Sequence, residues 1–318
     1  MRGVALTVLL MSAAAAARAT GAVVPEEATS SFTLTEVKPG VFAAIARPGD
    51  EDAVGNAGFV IGSNAVLVVD AFATPRAAEQ LLAQIRKKTP RPIRWLIVTH
   101  HHLDHWGGDS VFAKAGATVV AQENAAARMT ARAKAQQGAE SEPGRVLALA
   151  LPTLNYREAL SIWLGDRRVD VFTRPGHTDG DSLVSVPDAD VLFGGDLLQK
   201  GTAPNLSDAD TGAWIQTLDE LAPRFPSATI VPGHGGVARP LDLRGLRDFL
   251  TTLRTSVARE LRDGKSGDTL VQAVMPTLAP YTRWTWGEHL EGAVEHVERE
   301  LKGTPAPAGE PAAPTPVP

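Results

Sequence analysis

The chain has 318 residues, 44% hydrophobic and 21% charged, with a formal net charge of -5. That length and balance suit one large globular domain or two small ones. The acidic excess, with a sequence pI near 5.9, argues against a nucleic-acid or anionic-membrane surface. No cysteine is present. Disulfides and thiolate metal sites are therefore excluded, and any metal must be held by histidine and carboxylate.

Residues 1–19 read as a secretory signal: Arg2 starts it, Val4–Leu10 and the following alanines form the apolar core, and Ala17-Arg18-Ala19 offers a cleavage site. The stretch is short for a bilayer span. A periplasmic or secreted protein is expected, with no membrane association beyond export and with cleavage or retention as an anchor left open. Residues 20–31 are expected to be a flexible lead-in. Short β-like runs follow at Phe32–Val37, Val41–Ala46, Gly58–Ile61 and Ala65–Val69, punctuated by Gly, Pro and Asn. Thr74-Pro75 predicts an N-cap and first-turn proline, and Ala78, Leu81, Leu82 and Ile85 continue at helical spacing. Ile93–Val98 reads as a buried strand, and Asn124 as the N-cap of a helix over Asn124–Ala135. A second β block covers Val169–Thr173, Ser182–Val186 and Val191–Phe193; Trp214, Leu218 and Leu221 mark a helix before the strand Thr229–Val231.

From about residue 240 the pattern turns helical. Leu246, Leu250, Leu253, Val257 and Leu261 form one apolar stripe, and Trp286, Leu290, Val294, Val297 and Leu301 another. His289 and His296 flank the second stripe and read as part of a solvated helix face. Such an extension packs on the main domain or pairs two copies, so a monomer or homodimer is expected. Residues 303–318, rich in Pro and Ala, are expected to be disordered. Residues 32–302 remain as the folded domain.

The chemistry is concentrated after Ile93–Val98, in Thr99-His100-His101-His102-Leu103-Asp104-His105. Alternation along an extended peptide would set His100, His102 and Asp104 on one side and His101 on the other. The turn at Gly107-Gly108 lets His105 swing beside Asp104. An adventitious surface cluster is the plain alternative. Three further candidate ligands argue against it, each just past an apolar β-like run and beside glycine: His177 in Pro-Gly-His-Thr-Asp-Gly-Asp, Asp196 in Gly-Gly-Asp and His234 in Pro-Gly-His-Gly. Functional groups gather on loops that a sheet holds rigidly. Asp70, at the end of Ala65–Val69, reads equally as a partner orienting a ligand histidine and as a turn residue. Asp181 reads as a turn acid, and Trp106 as packing.

Taken in order and spacing, T-H-H-H-L-D-H, G-H-T-D-G-D, G-G-D and P-G-H-G resemble the metallo-β-lactamase superfamily over about Phe32 to Gly236. The resemblance implies an α+β fold, a four-layer αββα sandwich with the metals at one edge. His100, His102 and His177 would hold one zinc; Asp104, His105 and His234 would hold a second; Asp196 would bridge them. Two zinc ions per chain are expected, although an all-nitrogen-and-oxygen ligand set also admits iron or manganese. The implied reaction is attack on a small-molecule carbonyl by a hydroxide shared between the metals, with Asp104 orienting it. Lys200 and Asn205 lie where the segment resembles the part of zinc β-lactamases that pairs a lysine with the substrate carboxylate. Yet His105 and Asp196 are similar to the thioesterase and lactonase branches, and the loop Arg47–Asp52 carries three acids that would repel a β-lactam carboxylate. An exported β-lactamase-like hydrolase with weak β-lactam opening is the favoured expectation, and a lactone or thioester hydrolase the alternative. A mononuclear iron oxygenase of sulfur metabolism or a non-catalytic periplasmic accessory protein fits the full ligand set less well.

Overall fold

A computed structural model describes residues 30–138 and 149–304. The expectations for residues 1–19, for most of 20–31 and for nearly all of the tail from 303 lie outside them. Strands β1 (Phe32–Lys38), β2 (Val41–Ala46), β3 (Ala57–Ile61), β4 (Val66–Val69), β5 (Ile93–Ile97), β6 (Thr118–Gln122) and β7 (Leu154–Tyr156) form one sheet in that order. A second sheet holds β8 (Ala159–Trp163), β9 (Arg168–Thr173), β10 (Ser182–Val186), β11 (Val191–Gln199) and β12 (Thr229–His234), again in order. Most neighbours are antiparallel, but β4, β5, β6 and β7 run parallel, as do β11 and β12. Helices α1 (Pro75–Lys88), α2 (Leu103–Trp106), α3 (Asp109–Lys114) and α4 (Glu123–Gly138) belong to the first half, and α5 (Thr211–Arg224), α6 (Arg244–Arg262), α7 (Asp268–Val274) and α8 (Leu290–Lys302) to the second.

Period-two alternation divides the strand side chains between layers. Val41 and Ala43 of β2 join Leu67, Ile97, Val171, Val184 and Phe193 in a core between the sheets, while Phe42 and Ala44 turn outward toward Leu81 and Ile85 of α1. On the far side, Leu192 and Ile230 of the second sheet pack with Trp214, Leu250, Leu253, Val294 and Val297 from the later helices. Three apolar cores separate four layers, which makes the fold the expected αββα sandwich with the C-terminal helices in its outer layer. Among the described residues no helix is long and apolar enough to cross a membrane.

Local departures from the sequence expectation have simple causes. β6, β7 and β8 were not foreseen: β7 is only three residues long, and β8 is a largely exposed edge strand without clear alternation. Helix α4 starts at Glu123, because the Gln122 side chain accepts from the Asn124 backbone at 2.5 Å. Asn124 is therefore no N-cap; its side-chain amide donates to the Asp179 carbonyl at 2.8 Å instead. β11 runs on past Phe193 to Gln199, because it stays paired with β12 through two register shifts.

Candidate metal centre

The seven candidate ligands meet at one edge of the sandwich. His102 has an extended backbone and precedes α2, so a helical turn, and not strand alternation, delivers Asp104 and His105 side by side. His177 comes from the β9–β10 loop, Asp196 from the irregular middle of β11, and His234 from the end of β12. Two glycines make room. Gly195 has φ 48, in the left-handed region that glycine tolerates. A Cβ on Gly233 would stand 2.0 Å from Asp196 Oδ1.

Ligand atoms of His100, His102 and His177 lie within 4.8 Å of one another, and so do those of Asp104, His105 and His234. Asp196 stands between the sets: Oδ1 is 3.1 Å from His105 Nε2, and Oδ2 is 3.2 Å from His234 Nε2 and 3.5 Å from His177 Nε2. Asp104 Oδ2 lies 3.2 Å from His234 Nε2 and 3.4 Å from His105 Nε2.

Outer hydrogen bonds dictate which ring nitrogens are left bare. Thr99 donates its hydroxyl to Asp70 Oδ2 at 2.8 Å, so its oxygen accepts from His100 Nδ1 at 3.1 Å. His105 Nδ1 donates to Asp70 Oδ2 at 2.9 Å, and His102 Nε2 to Asp208 Oδ2 at 2.9 Å. These tautomers follow from the network. They turn His100 Nε2, His105 Nε2 and His102 Nδ1 inward, with His177 Nε2 facing His102 Nδ1 at 2.9 Å. His100 Nε2, His105 Nε2 and Asp196 Oδ1 are buried without a hydrogen bond. Buried polar atoms rarely go unpaired. A divalent cation with nitrogen and oxygen ligands satisfies them, and zinc suits such a set.

Burial pushes His100 well below the ordinary histidine value and His177 down to about 3, so both are neutral and ready to ligate. Burial opposes ionisation of Asp196 and Asp104, but the histidines around them outweigh it and hold both carboxyls well below their usual range. Burial likewise opposes charge on His234, but Asp196 and Asp104 lift it to about 9, and Asp104, Asp196 and Asp70 raise His105. The protons on His105 and His234 balance the carboxylates until a cation displaces them.

Partners beyond the seven ligands complete the centre. Asp70 orients His105, which resolves its two readings. Asp208, not singled out in the sequence, orients His102 from 106 positions away. His101 takes no part in the two ligand sets; its Nε2 lies 3.4 Å from the same Asp208. Asp181 accepts from the Thr178 backbone at 2.8 Å and hydroxyl at 2.6 Å, which fastens the loop carrying His177. Trp106 is buried and donates to the His101 carbonyl.

A cavity of about 470 Å³ opens over His102, Asp104, Asp196 and His234. Asn205 lines it, with its side-chain oxygen accepting from the Ser207 backbone. Lys200 does not. Gln199 lines the cavity and the next side chain points the other way, so Lys200 lies 3.2 Å from Asp242 and donates to the Val237 carbonyl. His289 is exposed, as expected, and also lines the cavity; His296 departs from the solvated-face expectation, being half-buried at the cavity and donating from Nε2 to the Ala209 carbonyl at 3.0 Å. Of the acids in the early loop only Glu51 lines the cavity; Asp50 caps its own turn and Asp52 pairs with Arg76. Trp286, in a left-handed backbone at φ 63, sets its ring edge-on to His234 at 4.7 Å. Trp286, Arg132 and Arg299 line this cavity with no motif around them to mark them in the sequence.

A buried cluster of histidine and aspartate at the edge of an αββα sandwich defines a class of metal-binding proteins. The chain belongs to the metallo-beta-lactamase superfamily, whose sequence profile matches residues 51–234 and whose members are hydrolases. A linear primary-alkylsulfatase of Pseudomonas sp. (strain ATCC 19151) is 24% identical over 74% of this chain, and the match spans 53% of the alkylsulfatase. Hydroxyacylglutathione hydrolase of Rhodobacter capsulatus is 29% identical over 54% of this chain and 58% of its own length. A metallo-beta-lactamase structure from Pontibacter korlensis shares the fold, with TM-score 0.57 and 23% identity, over 69% of this chain and 99% of that one.

Proposed function

We propose that this chain is an exported, zinc-dependent hydrolase with two metal sites, opening a carbonyl C–N, C–O or C–S bond of a small molecule. The observation that carries this is Asp196, which stands between the two ligand sets: its Oδ2 lies 3.5 Å from His177 of one and 3.2 Å from His234 of the other, and its Oδ1 3.1 Å from His105. His100, His102 and His177 would hold one zinc and Asp104, His105 and His234 the other. Zinc bound there supplies Lewis acidity, lowering the pKa of water to about 7 and polarising a carbonyl. Asp104 would offer a carboxylate oxygen to the second metal and an acceptor to a water beside it. Asn205 offers its amide N–H to the substrate from the cavity wall. Export rests on the signal-like residues 1–19.

Lys200, held by Asp242, is not there to pair with a β-lactam carboxylate. Opening of β-lactams is accordingly inefficient, and lactones or thioesters are the better substrates, as the pairing of His105 with Asp196 favours. Hydrolysis of a sulfate ester is a second reading, favoured by the breadth of the match to the alkylsulfatase. The zinc-loaded mature protein should be assayed on β-lactams, lactones, thioesters, phosphodiesters and alkyl sulfates side by side. Turnover with two zinc ions per chain is expected. No turnover of any of them, or a stoichiometry that stays at one under zinc saturation, would sink the proposal.

A further inference from the structure

The C-terminal extension and helix α4 add cationic groups to the cavity that the ligand motifs do not account for. Arg132 of α4 and Arg299 of α8 both line it, each partly buried. Neither guanidinium makes a hydrogen bond or ion pair among the described residues; burial lowers the pKa of Arg132, and nearby Asp104 offsets this only in part. By contrast, Arg128 of α4 and Arg254 of α6 are tied to Asp179 and Glu300. Of the carboxylates that line the cavity, Asp104 and Asp196 belong to the ligand cluster, and Glu51 and Glu295 are exposed. Leu206, Ala293 and the ring of Trp286 give the same cavity an apolar part of its lining.

An unpaired guanidinium that is partly desolvated gains most from an oxyanion, because its donor fork matches carboxylate and sulfate geometry. We propose that Arg132 and Arg299 form the anion-binding subsite of this cavity, and that the substrate is a small amphipathic anion. Its charged group sits on the arginines, its apolar body lies against Trp286 and Leu206, and its scissile bond reaches the ligand cluster. This proposal rests on the hydrolase reading above. It assigns to two helices the recognition that sequence resemblance assigns to Lys200.

The test is calorimetric titration of the zinc-loaded protein with hexanoate, hexanesulfonate and neutral hexanamide, alongside hydrolysis of paired charged and neutral esters. Arg132→Gln and Arg299→Gln should each weaken anion binding about tenfold or more. Zinc content should be unchanged, and Arg283→Gln, exposed and outside the cavity lining, should have no effect. Binding of either anion that the substitutions abolish supports the subsite, and the tighter of the two distinguishes carboxylate from sulfonate. Should a variant fail to fold, salt titration of the unaltered protein replaces it: anion binding must weaken with salt. Hexanamide binding as tightly as the anions, or anion binding indifferent to both substitutions and to salt, overturns the subsite. Loss of anion binding in the variants without hydrolysis of any ester would retain the subsite and sink the hydrolase reading.

Discussion

Asp70 Oδ2 receives both the His105 Nδ1 proton, at 2.9 Å, and the Thr99 hydroxyl, at 2.8 Å. Through Thr99 it also fixes His100, so one buried carboxylate sets the tautomers of a histidine in each ligand set. Asp70 itself is held at φ 58, a left-handed backbone that is costly outside glycine and persists where surrounding structure enforces it. Replacing Asp70 with Ala should lower zinc affinity about 10- to 100-fold, most strongly at the site containing His105. Zinc titration with a chromophoric chelator should then show the second equivalent lost first; two unchanged equivalents would show that Asp70 serves the turn alone.

His177→Ala and His101→Ala should differ sharply. His177 Nε2 faces both His102 and Asp196, whereas His101 packs on the His102 ring and reaches the outer carboxylate Asp208. The first variant should lose at least one zinc and essentially all hydrolysis. The second should keep both zinc ions and lose less than about tenfold in kcat/KM, through weaker support of His102. Equal losses with circular dichroism unchanged would place His101 in the reacting cluster.

Lys200→Ala should leave KM for an anionic substrate unchanged. The Lys200–Asp242 pair is more than a third exposed on both sides and stands apart from the cavity. Its contribution to stability is accordingly under about 1 kcal/mol, measurable by urea denaturation. A rise in KM above threefold would mean that the side chain swings to the cavity mouth when substrate binds.

Asp109 gives a pH signature outside the two ligand sets. It is fully buried at the start of α3; one oxygen accepts from the Ala150 backbone and the other has no partner. Burial lifts its carboxyl to about 7 from the ordinary 3.8. Between those values the folded protein holds a proton that the unfolded chain has released, so stability falls as pH rises through that window. Asp109→Asn retains the acceptor and removes the titration. It should be the more stable form at pH 8, by roughly 1–4 kcal/mol, and gain little at pH 4. Parallel stability curves for the two proteins between these pH values would refute the raised value.

Gly233→Ala should displace the Asp196 carboxylate, the proposed bridge, since the added carbon would overlap Asp196 Oδ1. Zinc content should fall below two per chain even where the thermal transition is retained. Two tightly held zinc ions in this variant would mean that Asp196 can shift without losing its role.

The strand ends, the glycines beside them and the order of the histidines and aspartates were legible in the sequence because each depends on a few consecutive residues. An apolar β-run followed by glycine and a ligand is a local pattern, and the αββα layers were expected from the family resemblance those motifs carry. Other features depend on which distant segments meet. Helix α2 overrode strand alternation at Asp104. Asp208 arrived at His102 from 106 positions away. One residue of strand phase turned Lys200 from the cavity toward Asp242, while α4 and α8 brought Arg132, His289, His296 and Arg299 into it. A charged residue on an amphipathic helix looks alike in sequence whether water or a cavity lies beyond it. Only the packing of the outer layers against the sheets decides which.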